Sequence, residues 1–530
     1  MDSKNSKDIN KKIFQAIIFI SLLSCYGFLI ANKADLTTTD LGRHIENGKV
    51  AINSIFSNAE TFNQLVKTNF YSYTSPSYPF INHHWLSGII FYLVEKFLGF
   101  NGLSLLSIVF SLIAFTLFFK LAQKNSNFTI SSLTALLLIP LIAERKEIRP
   151  EVFSYFFIAL FLWILWHHHK GLISNRWLTA LPLMGIVWVN IHIYFIFGLF
   201  LIGVFLLEEI IIPTLRNKKN IKNLSLAFVA TALSFLLQPN GLKGALCPFF
   251  IFTDYGYQIV ENQSIWFLQK IVTINNSNIL LCEIIFLLLI FSFIFLFFID
   301  RKKFSFTFFL LGTAFGIMAF LMLRNFTIFG LFALVILAYN LDKIFKKIHL
   351  KPGVVETIVL ISFLIIVSFG VINGNQEIFN QNKGLGLAPN NNASAIFFKK
   401  ENVKGPIFNN FDIGSYLDYY LFSQEKVFVD NRPDAYSVSF FQKIYIPMQE
   451  DDNVWKEQDK KYNFNAIFFS YYDYTPWGQK FLITRIGDKN WAPIFADQYA
   501  IIFLKRNDLN KNLIEKYEIP KNFFSIKKTD

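Results

Sequence analysis

The stretch that decides the fold is residues 279–299, which read ILLCEIIFLLLIFSFIFLFFI. Glu283 is its only charged residue, and about 20 such residues in a helix cross the hydrocarbon layer of a bilayer, which is roughly 30 Å thick. The whole chain of 530 residues has this character, because 53% of it is hydrophobic and only 16% is charged. Soluble domains carry about a quarter charged residues. The composition therefore predicts an integral membrane protein and excludes disordered and small secreted chains.

Further apolar runs predict about eleven membrane crossings in total. Lysines precede the first run, which places the N-terminus in the cytoplasm and the C-terminal part outside. The run 85–99 is interrupted by Glu95 and Lys96, so we expect a helix that lies in the membrane interface. Besides 279–299, the predicted crossings are 13–31, 102–121, 129–143, 151–167, 177–190, 193–212, 223–238, 304–323, 325–341 and 354–373.

The positions of Lys and Arg support this topology. The net charge of +13 is concentrated in short loops, which explains it without a nucleic-acid partner. The segment Glu144 to Arg149 is the exception, because it is basic and yet falls outside. A charged cluster on the unfavoured side is a candidate functional site. The basic loops that fall inside are 120–124, 167–176, 216–222, 300–303 and 343–351.

The chain changes character after residue 373. Residues 1–373 are predicted to form the transmembrane domain, with a first outer loop at 32–84, and 374–392 is predicted to be a linker. In 393–530, strand-length runs alternate with helical ones, which predicts a small α/β domain. The expected fold class is a polytopic α-helical membrane protein with a C-terminal extracytoplasmic α/β domain. Strands are expected at 406–408, 427–429 and 466–469, and a hairpin is expected between 493–496 and 500–505.

Asp40, in the first outer loop, is the leading catalytic candidate. Arg43 and His44 follow it by three and four residues, which places all three on one face if the segment is helical. A carboxylate can accept a proton from an acceptor hydroxyl, and a guanidinium neutralises phosphate. The alternative is that Asp40 only caps a surface helix, since charge pairs at this spacing are common.

Other polar residues end apolar runs on the same predicted outer side. Arg145 and Arg149 lie in the exceptional basic loop and Arg324 ends another run, so all three are candidate clamps for a lipid phosphate. The alternative for Arg149 is that it precedes a helix start at Pro150. The predicted substrate-binding residues are Arg43, His44, His84, Arg145, Arg149, Asn190, His192 and Arg324.

No cofactor is indicated with certainty. His83 and His84 could bind a divalent metal with Asp40 or Glu46, but adjacent residues of a helix diverge by about 100° and do not easily share one ion. The sequence therefore does not decide whether a divalent metal binds here. The three cysteines are not in paired spacing, which predicts neither a disulfide framework nor a zinc knuckle.

Several motifs, in this order along the chain, resemble those of bacterial polytopic proteins of the GT-C glycosyltransferase superfamily. The resemblance implies a polyprenyl-phosphate-linked sugar as donor and a catalytic role for an acidic residue of the first outer loop, which here is Asp40. Two positions depart from the pattern: His84 stands where relatives often have an acidic residue, and Ile193 where a small residue is expected. The motifs are Asp40 with His44, Tyr73-Thr74-Ser75-Pro76, Trp85-Leu86, Arg149-Pro150-Glu151, Trp188-Val189-Asn190-Ile191-His192, Pro239-Asn240-Gly241, Phe411 to Leu417 and Val427 to Tyr436.

Three functions are compatible with these observations. The leading hypothesis is an enzyme of the cytoplasmic membrane that moves a sugar from a polyprenyl-phosphate donor to a lipid, glycan or protein hydroxyl at the outer face. A transporter or flippase for lipid-linked glycans would need ionisable residues deep in the membrane, whereas these lie at the outer ends. A non-catalytic scaffold of the same fold is the third possibility. The oligomeric state is not readable from the sequence.

Overall fold

The computed structural model describes residues 2–213, 215–250, 255–271, 276–348, 382–471 and 473–524. The predicted crossing 354–373 and the first part of the predicted linker, 374–381, lie outside the described residues. The chain divides into two compact units. The helical unit comprises Met1–Asn32, Ser104–Gln238 and Gln258–Leu385, and the sheet unit comprises Lys33–Leu103, Pro239–Tyr257 and Gly386–Asp530.

Long apolar helices dominate the described part of the chain. Six of the described helices are long and apolar enough to cross a membrane, and helices occupy the predicted spans as far as 325–341. The protein is therefore a multi-pass membrane protein, and the total number of crossings stays a prediction. The six are Ile9–Ile30, Trp85–Asn125, Glu151–His169, Ile193–Ile211, Ser277–Ile299 and Leu323–Lys347. Shorter helices are Phe128–Ile142, Ala180–Val189, Lys218–Ser234 and Phe306–Leu321.

The helix Trp85–Asn125 is broken at Gly99. Its φ of 63° and ψ of −167° suit glycine, which has no Cβ to clash with the backbone. The break separates the segment expected to lie in the interface, 85–99, from the predicted crossing 102–121. The two predicted helices are thus the two arms of one kinked element.

The sheet unit contains a four-stranded sheet with the order β1-β2-β4-β3. The strands are β1 (Ile407–Asn409), β2 (Ala466–Ser470), β3 (Trp491–Ala496) and β4 (Ala500–Lys505). Strands β1 and β2 run parallel and the other pairs are antiparallel, which confirms the predicted hairpin between β3 and β4. Every residue of β1 and β2 is buried, and Phe408, Ile467 and Phe469, which lie on one face of the sheet, belong to an aromatic-rich core.

The predicted strand at 427–429 is wrong, because this segment is not part of the sheet. Val427 makes only an isolated bridge to Ser72. The side chain of Asn409 takes the hydrogen bonds that a neighbouring strand would take: the Phe428 amide donates to Asn409 Oδ1, and Asn409 Nδ2 donates to the Val429 carbonyl. Val427, Phe428 and Val429 are buried as predicted for a strand, but an amide side chain, and not a neighbouring strand, pairs with their backbone.

Two glycines allow the helix Leu41–Ser54 to pack tightly. A Cβ on Gly42 would lie 2.6 Å from the Ser415 carbonyl oxygen, and a Cβ on Gly48 would lie 1.9 Å from the Gly88 carbonyl oxygen. The backbones approach so closely that no other residue fits without displacement. Further helices described in this unit include Ala59–Lys67, Gly241–Leu246, Ala393–Lys400, Gly414–Leu421, Asp452–Tyr462, Pro476–Gly487 and Lys511–Tyr517.

Candidate functional site

Asp40 occupies the N-cap position of the helix Leu41–Ser54, but its side chain makes no cap hydrogen bond. Its Oδ2 atom instead lies 3.2 Å from His44 Nε2 and 3.7 Å from Arg43 Nη2. The carboxylate is 21% exposed, whereas the side chain of His44 is fully buried. The structure therefore brings Asp40, Arg43 and His44 together as the spacing predicts, and the alternative of a capping side chain is not what the geometry shows.

His84 belongs to the same cluster. Its ring lies edge-on to the His44 ring, with the two centroids 5.0 Å apart, and His83 packs against it at 4.0 Å. The helix Trp85–Asn125 begins at the next residue, and the His84 carbonyl accepts hydrogen bonds from Ser87 and Gly88. The helix start thus fixes where the His84 ring lies against His44.

Asp418, Asp430 and Arg432 form a group of buried ionisable residues, and Asp418 interacts electrostatically with Arg43. Arg432 donates from Nε to Asp430 Oδ1 at 2.8 Å and from Nη2 to Asn69 Oδ1 at 2.8 Å. Burial raises the pKa of Asp418 well above its ordinary value and the carboxylate of Asp430 raises it further, while Arg432 and Arg43 oppose the shift. Asp418 lies on the helix Gly414–Leu421, which packs on the helix that carries Arg43. The sequence motif Val427 to Tyr436 drew attention to this region, but nothing in it indicated that Asp418 interacts with Arg43.

In the helical unit, Glu151 is the centre of an ion-pair network. Its side chain is only 4% exposed. Its carboxylate accepts hydrogen bonds from Arg145 Nε at 3.0 Å and from Arg324 Nη2 at 2.6 Å. The hydroxyl of Tyr155 donates to the same carboxylate at 3.2 Å. The three predicted clamp residues, Arg145, Arg149 and Arg324, therefore do converge, and the carboxylate that organises two of them is Glu151.

Arg149 pairs with Glu261, a polar residue that ends an apolar run on the same predicted outer side but is not among the predicted site residues. Its Nη1 and Nη2 atoms donate to the two carboxylate oxygens of Glu261, at 3.0 and 2.8 Å, and Arg145 Nη2 reaches the same carboxylate at 3.2 Å. Burial would raise the pKa of Glu261, but the charges of Arg145 and Arg149 outweigh burial and lower it. The only signal for Glu261 in the sequence is an acidic residue beside apolar segments, and that signal does not reveal its partners.

Asn190 and His192 have partners that explain their positions structurally. Asn190 Nδ2 donates to the Ile186 carbonyl at 2.8 Å and to the Leu237 carbonyl at 3.0 Å, which ends the helix Ala180–Val189. His192 is buried, and its Nδ1 atom lies 2.9 Å from Ser154 Oγ. Their predicted part in substrate binding stays a prediction.

The residues described around Asp40 do not fit a metal centre. Glu46 accepts from Lys49 Nζ at 3.0 Å, and His83 Nδ1 lies 3.1 Å from the Ile81 carbonyl. Within the described ranges, no group of three His, Cys, Asp or Glu side chains is placed to hold one metal ion. The Asp40 carboxylate instead faces the imidazole of His44 at 3.2 Å and the guanidinium of Arg43 at 3.7 Å, and a guanidinium is not a metal ligand.

Comparison of the fold with solved structures gives clear matches, although no family model and no curated protein matches the sequence. The archaeal oligosaccharyltransferase AglB from Archaeoglobus fulgidus, in complex with an inhibitory peptide and a dolichol-phosphate, superposes with a TM-score of 0.61 at 11% identity, over 94% of this chain and 75% of AglB. The apo form of the Archaeoglobus fulgidus oligosaccharyltransferase gives 0.62 at 11% identity, over 91% and 73%. ArnT from Cupriavidus metallidurans in the apo state gives 0.54 at 12% identity, over 93% and 98%.

The chain has the GT-C fold. The resemblance inferred from the motifs is thereby confirmed for the fold, which includes both the apolar helices and the C-terminal region with the small sheet. At 11–12% identity, the GT-C fold is what the match establishes. Function has to be argued from the side chains.

Proposed function

We propose that the protein is a membrane glycosyltransferase that moves a sugar from a polyprenyl-phosphate donor to a hydroxyl of a lipid, glycan or protein. The GT-C fold and the cluster around Asp40 support this proposal. The observation that carries it is the position of the Asp40 carboxylate, which leaves the helix N-terminus uncapped and faces His44 and Arg43 while staying partly exposed. An uncapped N-terminus is unfavourable by about 0.5–2 kcal/mol, so this arrangement is better explained by a role other than capping.

In the proposed reaction, Asp40 is the general base. The oxygen of the acceptor hydroxyl attacks the anomeric carbon of the donor while Asp40 takes the hydroxyl proton. The bond between the anomeric carbon and the phosphate oxygen breaks, and polyprenyl phosphate leaves with the electron pair. Attack opposite to the leaving group inverts the configuration of that carbon. Because phosphate is already a good leaving group, positioning and charge stabilisation supply much of the rate increase.

The arginines of the helical unit are the proposed binding site for the lipid phosphate. Arg145, Arg149 and Arg324 carry three positive charges, and Glu147, Glu151 and Glu261 balance them. Phosphate accepts the same forked pair of hydrogen bonds from arginine that a carboxylate does. We therefore propose that the phosphate replaces Glu261 at Arg149 and Arg145, while Glu151, which is more deeply buried, keeps the guanidinium groups in position.

The proposed location is the bacterial cytoplasmic membrane, with the N-terminus inside and both the loop 32–84 and residues 393–530 outside. The distribution of Lys and Arg among the loops supports this orientation. Reporter fusions after Lys49 and after Lys505 are expected to signal outside. An inside signal at either position would contradict the orientation and move the proposed reaction to the other face.

Transfer can be tested with the full chain reconstituted in liposomes. Radiolabelled polyprenyl-phosphate sugars of several kinds are supplied with a total lipid and glycan extract as acceptor, and the release of polyprenyl phosphate is measured. We expect release to require both donor and acceptor and to be lost in Asp40→Asn. Movement of intact donor across the bilayer, without cleavage, would instead identify a flippase, and neither outcome would identify a scaffold.

A further inference from the structure

Asp418, in the sheet unit, is a buried carboxyl group with one unsatisfied oxygen. It lies on the helix Gly414–Leu421, is only 2% exposed, and its Oδ2 atom has no hydrogen-bond partner. An ionised carboxylate that is removed from water without compensation is so unfavourable that such a group usually binds a proton instead. The geometry therefore indicates that Asp418 is a neutral carboxylic acid.

The charged groups around Asp418 balance one another without it. Arg432 donates to the Asp430 carboxylate from both Nε and Nη2, so these two residues form a pair of their own. Arg43 faces the other carboxylate, with its Nη2 atom 3.7 Å from Asp40 Oδ2. Two arginines thus neutralise two aspartates, and an ionised Asp418 would add a buried negative charge in excess. The groups that interact electrostatically with Asp418 are Asp430, Arg432, Arg43, Glu46 and Tyr71.

The remaining neighbours also favour the neutral acid. Burial is the main cause that raises the pKa of Asp418, and the carboxylates of Asp430 and Glu46 raise it further, whereas the two arginines oppose the shift without cancelling it. Burial likewise raises the pKa of the Tyr71 phenol well above its usual value, so Tyr71 adds no charge. The charges that surround Asp418 therefore agree with its unsatisfied oxygen.

An ionised Asp418 would compete with Asp40 for Arg43. Arg43 is buried, and its Nε atom has no hydrogen-bond partner, so the guanidinium still has a donor for a second carboxylate. The helix that carries Asp418 packs on the helix that carries Arg43. Opposite charges attract more strongly in a buried site than in water. A negative charge on Asp418 would therefore draw the guanidinium away from Asp40.

We infer that Asp418 is a positioning residue that stays protonated and so leaves Arg43 to the Asp40 carboxylate. The inference rests on the proposed function, in which Asp40 is the general base. Arg43 holds the Asp40 carboxylate in place, and a displacement of about 1 Å in a reacting group can lower a rate about 100-fold. Transfer should therefore fall as the pH rises far enough to ionise Asp418, although Asp40 is then ionised as well.

The proton on Asp418 can be detected by infrared difference spectroscopy of the full chain in lipid nanodiscs. The carbonyl stretch of a protonated carboxyl group is separate from the bands of carboxylates and amides. We expect this band in the spectrum of the parent minus that of Asp418→Asn at pH 6, and not in the difference for Asp508→Asn, which replaces an exposed aspartate. Asp418→Ser is a second uncharged variant, and melting temperatures show which variants are folded. Absence of the band from both Asp418 differences would overturn the inference.

The positioning role can be tested by the pH profile of transfer. The ratio kcat/KM is measured from pH 5 to 10 for the parent, Asp418→Asn and Asp508→Asn. At the alkaline pH where the parent keeps one tenth of its maximum, we expect Asp418→Asn to keep at least half of its own, because asparagine cannot ionise. Asp508→Asn should follow the parent. Coinciding alkaline limbs in the parent and Asp418→Asn would overturn the positioning role, since a merely structural residue would leave the limb where it is.

Failure of this inference is distinguishable from failure of the proposed function. If none of the proteins transfers sugar, the carboxylate band of Asp40 replaces the rate as the measured quantity, and it is isolated by subtracting the spectrum of the matching Asp40→Asn protein. We expect this band to shift at alkaline pH in the parent, as Arg43 leaves Asp40, and to stay constant in Asp418→Asn. An equal response of the band to pH in both proteins would overturn the inference, whatever the transfer assay shows.

Discussion

Arg149 donates two hydrogen bonds to the carboxylate of Glu261, from Nη1 at 3.0 Å and from Nη2 at 2.8 Å. This is the forked geometry in which arginine also binds phosphate. Glu261 therefore occupies a position that suits an anionic group of a ligand. If lipid phosphate binds at Arg149, it has to compete with a carboxylate of the protein itself, and this competition can be measured.

The variant Glu261→Gln tests the competition directly. Removing the carboxylate leaves the positive charges of Arg145 and Arg149 partly unbalanced. Loss of one partner of a buried ion pair destabilises the folded state by about 3–5 kcal/mol. We expect a lower melting temperature without ligand, and a larger rise on adding polyprenyl phosphate than the parent shows. Glu283→Gln serves as control, because the hydrogen bond described for Glu283 comes from Gln269 and not from an arginine. An equal rise in all three proteins would contradict the exchange.

Substitution by lysine tests whether the paired N–H donors of the arginine side chains are needed for binding of the lipid phosphate. Arg149→Lys and Arg324→Lys keep the charge but lose the paired donors, and a hydrogen bond to a charged group is worth about 1.5–3 kcal/mol. We expect each variant to bind polyprenyl phosphate about tenfold more weakly, or worse, in a liposome flotation assay. The exposed Arg176→Lys should bind like the parent. If both variants kept full affinity, the assignment of these arginines to the lipid phosphate would have to be abandoned.

Asp40→Asn is the sharpest test of the proposed chemistry. Asparagine keeps the size of the side chain but cannot accept the proton, and general-base catalysis contributes about 100- to 10,000-fold in rate. We expect normal insertion and folding with a loss of turnover in that range. The control is Glu60→Gln, an exposed carboxylate of the same loop. Near-normal transfer by a well-expressed Asp40→Asn protein would show that Asp40 is not the general base.

The stability of the sheet unit should depend on pH through Asp412. Burial, with a smaller contribution from the Asp473 carboxylate, raises the pKa of Asp412 to about 7, whereas an unfolded aspartate titrates near pH ~3.9. The folded state thus keeps a proton that the unfolded state loses. The stabilisation is complete below about pH 4 and is lost as the pH rises to about 7.

Asp412→Asn removes this titration. Melting temperatures of the full chain at pH 4 to 8 should therefore rise in the variant relative to the parent as the pH increases. Asp508→Asn, at an exposed position, should follow the parent at every pH. A constant difference between Asp412→Asn and the parent across this range would show that Asp412 does not hold a proton in the folded protein.

Gly48→Ala tests the close packing of the helix that carries Arg43 and His44. The new Cβ would meet the Gly88 carbonyl oxygen at 1.9 Å, and overpacking of this kind typically costs about 1–3 kcal/mol. We expect a lower melting temperature and reduced transfer, because the backbone that positions His44 has to move. Gly487→Ala is the matched control, since no atom lies within 4 Å of its added Cβ. Equal stability of the two variants would contradict the close approach.

The sequence by itself determined the apolar helices, the separation of 85–99 from 102–121, and the hairpin of β3 and β4. These features depend on local properties: the length of an apolar run, the charged residues that interrupt it, and the short strand-length runs on either side of a turn. The cluster of Asp40, Arg43 and His44 was predictable for the same reason, because residues three and four apart meet on one helix.

Only the tertiary structure decided which distant residues became partners. Asn409 bonds to the backbone of 428–429, so a well-patterned strand stays outside the sheet, and Glu261 binds an arginine 112 residues away. Asp418 interacts electrostatically with Arg43 although no motif connects them. A sequence pattern specifies how a residue relates to its own helix or strand, whereas these contacts depend on which elements pack together. That packing arises from the summed burial of many side chains, none of which identifies the partner by itself.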